Sequence, residues 1–108
     1  MSYVISPKDR EGTCYMEFMK GEYKNKCWLD DSILIDEEIF SELLLHRYIK
    51  KIVPEFDYYG ITEINRQQWQ EIIDIVPDDS EAFKALNELS SWAYKTFKEY
   101  EIITILGM

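Results

Sequence analysis

The sequence predicts an α+β domain: a mostly antiparallel sheet, about three helices packed on it, and the C-terminal strand inserted in the sheet interior. Three observations carry this. Apolar residues alternate with a period of two over residues 14–19. Later they recur at spacings of three and four, as in Phe83, Leu86, Leu89, Ala93 and Phe97. The closing EIITILGM is apolar on both strand faces, at Ile102, Ile103, Ile105 and Leu106, as in a strand covered on each side.

Taken in order, SYVIS reads as a short strand that Pro7 and the polar PKDREG end. TCYMEFM is a second strand, KGEYKN around Gly21 a turn, and KCWLD the hairpin partner, so the first quarter reads as a β-meander. Asp36 caps a first helix over 36–49, with Glu37 and Glu38 in the turn where the helix dipole favours anions. Pro54 bounds that helix. The β-branched and aromatic residues of FDYYGITEI give a strand over 57–64. Asn65 and Gln68 form a capping box that opens a second helix, with Trp69, Ile72, Ile73 and Val76 facing inward and Pro77 ending it. Asp78 or Asp79 caps a third helix over 80–99. The order is β-β-β-α-β-α-α-β, one domain over residues 1–108.

Composition narrows the function. At 108 residues, with 46% apolar and 15% aromatic residues, the chain has the make-up of a globular domain and not of a disordered one. No run approaches the ~18 apolar residues of a membrane helix. The opening MSYVISPKDR lacks a basic stretch followed by a long apolar one, so a cytoplasmic protein is expected. Cys14 and Cys27 fit neither a CxxC nor a zinc spacing and are expected as buried, reduced thiols. His46 is the one histidine and reads as helix filler. Nucleotide-binding and metalloprotease motifs are missing. Asp30 with Asp31, and Asp78 with Asp79, lack the ladder of spaced ligands found in calcium loops. No catalytic residue, cofactor or metal is therefore expected.

Charge is more informative. The net charge is −9, and all of the excess lies beyond residue 26. Residues 27–42 carry six acids and no base, and residues 67–83 carry five acids and no base. PEFDYYG between them sets Glu55 and Asp57 beside Tyr58 and Tyr59. Such a field repels nucleic acid and anionic membranes and attracts basic partners. Tyrosine beside acid suits a protein interface, where the ring anchors and the charge steers. The candidate contacts are Asp30, Asp31, Asp36, Glu37, Glu38, Asp57, Tyr58, Asp78 and Asp79. Helix capping and a solvated face account for the same acids without a partner.

ITEINRQQW, LSSWAYKTF and the terminal ITILGM resemble the C-terminal half of small bacterial immunity proteins of contact-dependent growth inhibition and related polymorphic-toxin systems. The resemblance covers about residues 57–108. It implies an acidic α+β domain closed by an apolar strand soon after a Trp-bearing helix, with Trp69, Trp92 and residues 104–107 as core. It also implies a function: 1:1 inhibition, without turnover, of a cognate toxin C-terminal domain, such as a basic nuclease. The alternatives are a DNA-mimic inhibitor of a DNA-binding enzyme and a small enzyme.

Overall fold

The computed structural model describes residues 2–107. Five strands, β1 (Val4–Ile5), β2 (Tyr15–Lys20), β3 (Ile33–Asp36), β4 (Ile61–Asn65) and β5 (Ile102–Leu106), form one antiparallel sheet. Four helices pack with it: α1 (Glu37–Glu42), α2 (Leu45–Ile52), α3 (Arg66–Ile75) and α4 (Glu81–Thr96). The strand order is β1-β3-β2-β5-β4. The class is α+β, and β5 lies between β2 and β4, inside the sheet as its two apolar faces predict.

Register sorts the strand residues onto two faces. One face carries Met16, Phe18, Ile35, Ile64, Ile103 and Ile105, all buried in the core under the helices. Trp69 of α3 joins them, with its ring edge-on to Phe18 and its indole N–H donating to Ser90 Oγ at 3.0 Å. The opposite face carries the row Ile5, Leu34, Glu17, Leu106 and Ile61.

Two expectations for the N-terminal quarter are corrected. KCWLD is not a strand; the partner of β2 is β3, beyond it, so the order is not that of a meander. Residues 21–32 instead form an irregular loop in which Asn25 and Trp28 have positive φ (60° and 58°). An extended strand cannot pass through two left-handed residues three positions apart. Cys14 and Cys27 are free but exposed, because each falls in irregular chain outside the sheet.

The first helix is also two. Leu44 adopts φ 59° and separates α1 from α2. The reason lies in phase. A continuous helix would place Leu44, Arg47 and Lys51 in line with the buried Phe40. The break rotates the stripe, so that Leu45 and Ile49 are buried while Arg47 and Lys51 stay exposed. Asp36 caps α1, accepting from Glu38 and Ile39 N–H, and the Asn65–Gln68 capping box is present at α3. At α4 the cap is Ser80, which accepts from Phe83 N–H at 3.1 Å, and not Asp78 or Asp79.

Candidate functional site

Carboxylates greatly outnumber their ionic partners. Among the described residues one ion pair is present, Lys84 with Glu81 at 2.8 Å on the exposed face of α4. Several acids serve the backbone instead. Asp36 caps α1. Glu88 accepts from Tyr3 and Val4 N–H and ties β1 to α4. Glu17, 1% exposed, accepts from Trp28 N–H at 2.7 Å and Leu29 N–H at 3.0 Å, holding the 21–32 loop to the sheet.

The predicted contact residues separate into groups. Asp30 and Asp31 are exposed at the end of that loop, beside Lys24, Lys26 and Leu29. The Asp31 carbonyl accepts from the Trp92 indole at 3.0 Å, which leaves Trp92 half-buried at the edge of the core. Asp78 and Asp79 are exposed in the turn between α3 and α4. Asp36, Glu37 and Glu38 begin α1, and Glu38 is exposed. One long-range link joins the set: the Tyr58 hydroxyl donates to Glu37, 21 residues away. Burial, and after it that bond to an anion, push the Tyr58 phenol up to about 12.

Around Tyr58 lies a recess of about 440 Å³, lined by His46, Lys50, Glu55, Phe56, Asp57, Tyr58 and Tyr59. Its wall is aromatic. The Tyr58 ring meets Tyr59 at 5.1 Å, His46 at 5.6 Å and Phe40 at 6.0 Å between centroids. His46 is half-buried, and its Nδ1 is buried without a hydrogen-bond partner. Desolvation, followed by the Arg47 charge, lowers its pKa, so the ring is neutral at neutral pH. Tyr59 stands out from the wall, 76% exposed.

The turn carrying these rings is pinned from both ends. Asp57 N–H donates to Thr62 Oγ1 at 3.0 Å, and the Asp57 carboxylate accepts from Tyr59 N–H at 3.0 Å. From the far end of the chain, Gly107 N–H donates to the Gly60 carbonyl at 2.7 Å. A methyl group on Gly107 would fall on the Tyr58 carbonyl, so only glycine allows β5 to run out this close beneath the turn. Sequence reasoning singled out Asp57 and Tyr58 through the acid–aromatic run. It missed His46 and Lys50, which enter only because the break at Leu44 turns α2 toward the same recess, and it missed the supporting role of Gly107.

Among the described residues no group of three or more His, Cys, Asp or Glu side chains is placed to hold a metal ion, and no helix is long and apolar enough to cross a membrane. Compared with protein families, curated proteins and solved structures, the chain found no match.

Proposed function

We propose that this chain is a cytoplasmic immunity protein that neutralises a basic toxin domain by 1:1 binding through its acidic surface. The observation that carries the reading is the unpaired charge. A chain of net charge −9 has one ion pair among its described residues, and Asp30, Asp31, Glu38, Asp57, Asp78 and Asp79 all present carboxylates to solvent. Like charges left exposed in this way disfavour the compact state and are relieved by a cationic partner. The resemblance of residues 57–108 to immunity proteins of polymorphic-toxin systems supplies the class of partner.

The acids lie in separate groups, on a loop, a helix start and a turn, which supports recognition of a shaped protein surface over imitation of a regular phosphate track. The test is co-expression with the product of the adjacent gene, which this reading expects to carry a basic toxin domain. Survival and a co-eluting complex are expected; continued toxicity with no complex would end this reading. If duplex DNA competes stoichiometrically for the partner, the DNA-mimic alternative replaces it.

A further inference from the structure

The recess beside Tyr58 has walls and a charge that select an occupant. We propose that it receives an arginine side chain of the protein partner, an assignment that rests on the reading of this chain as a binder of a basic protein. At about 440 Å³ the recess is within the ~300–1,000 Å³ range of sites that enclose a compact group. Phe56, Tyr58 and Tyr59 are aromatic members of the lining, and the rings of the last two meet at an interplanar angle of 61° to form a corner. A cation is attracted to such faces within ~6 Å.

Charge then excludes the other occupants. Glu55 and Asp57 are exposed carboxylates of the lining, while Lys50 is its only fixed cation and His46 is neutral. Asp57 gives one hydrogen bond's worth of acceptor capacity to Tyr59 N–H, and a carboxylate retains further lone pairs for a ligand. An anion would face two carboxylates. An apolar side chain would desolvate them without pairing them. Between the two cationic side chains, arginine fits better: its planar fork stacks on rings and binds carboxylates through two parallel N–H bonds, whereas the lysine ammonium is a point charge with a tighter water shell.

The experiment is an NMR titration of the intact protein with three capped tripeptides, Ala-Arg-Ala, Ala-Lys-Ala and Ala-citrulline-Ala. Citrulline keeps the shape of arginine and removes its charge. The arginine peptide should shift the His46, Tyr58 and Tyr59 resonances saturably, the lysine peptide more weakly, and the citrulline peptide not at all. The double variant E55Q/D57N, which retains the acceptor for Tyr59 N–H, should weaken binding about tenfold or more. Tyr59→Ala, at an exposed position, should do the same without unfolding the chain. Equal response to citrulline, no saturable shift at these rings, or unchanged binding by both variants would overturn the assignment. If the peptide ignores the recess while the basic partner still binds, the assignment fails and the proposed function stands. If no basic partner binds, both fail.

Discussion

The two faces of the sheet are covered to different extents and by different physics. The helix face is closed by regular structure: Phe18, Ile64, Ile103 and Ile105 meet α-helical side chains and are fully buried. The opposite face is partly closed by an irregular loop, which leaves Ile61 at its edge exposed, and at its centre, between Leu34 and Leu106, sits a carboxylate. Glu17 holds the loop by taking the Trp28 and Leu29 amides, which fixes Trp28 in its left-handed conformation. Tyr15 stacks edge-on against the Trp28 ring, and Arg10 lies 4.5 Å from its centroid. Thr104 donates to the Gly21 carbonyl at 2.7 Å, and Gly21 (φ 69°) lies so close to the Tyr100 ring that a Cβ would approach it to 2.9 Å. One face is therefore a hydrophobic interior, and the other a polar latch over apolar residues. An apolar strand such as β5 satisfies both.

The largest expected effect breaks the helix face. Ile103→Ala should cost about 2–5 kcal/mol, the range for a fully buried aliphatic side chain. Leu106→Ala, on the opposite face and half-buried, should cost distinctly less in the same denaturant titration. Equal costs would mean that the loop packs as tightly as the helices. Deleting residues 102–108 removes the strand between β2 and β4 and should abolish cooperative unfolding altogether.

Next comes the latch. Glu17→Ala leaves two partly buried amides without their acceptor, at up to about 1–3 kcal/mol for each that water does not reach. Hydrogen exchange at Trp28 and Leu29 should accelerate while the amides of β5 stay protected. Acceleration across the whole sheet would show that the two faces are not separable.

Gly107→Ala tests the link from β5 to the recess. Overpacking against the Tyr58 backbone should cost about 1–3 kcal/mol, and it should displace the turn that carries Tyr58 and Tyr59. Their resonances should move while Trp69 remains unchanged; movement confined to Gly107 would detach the tail from the site.

A smaller effect concerns pH. Tyr58 has a folded pKa of about 12 against an ordinary value of 10.0. Its stabilising contribution is complete below pH 10 and is lost as pH rises from there through about 12. His46 has the opposite trend: its pKa is lowered from 6.5, so its contribution is present above that value and is lost on acidification. Alkaline denaturation of Tyr58→Phe should lack the Tyr58 component, and an unaltered profile would place the titration elsewhere. The smallest stability effect belongs to the exposed acids. Charge reversal at Asp78 and Asp79 should change stability by less than about 0.5 kcal/mol. It should nevertheless slow association with a basic partner and weaken its salt dependence.

Local chemistry was legible in the sequence. The capping box of Asn65 and Gln68, the cap at Asp36, the inner face of α3 and the two-faced β5 each depend on neighbours a few residues apart, and each stands as read. The Leu44 break was not legible, because it follows from which stripe the core accepts. The exposure of Cys14 and Cys27 was not legible either, since it depends on a loop whose shape Glu17 sets from across the sheet. At the candidate site, the sequence offered Glu37, Asp57 and Tyr58; the tertiary fold brought Glu37 onto the Tyr58 hydroxyl and added His46 and Lys50.

The sequence by itself determined the α+β class, the interior place of the closing strand and the acidic excess, since periodicity, capping and charge are properties of short stretches. Only the tertiary structure decided the strand order, the latch on the second face and the recess that Gly107 supports from beneath. Those rest on contacts between residues far apart in the chain, whose meeting is set by packing and hydrogen-bond satisfaction rather than by local preference.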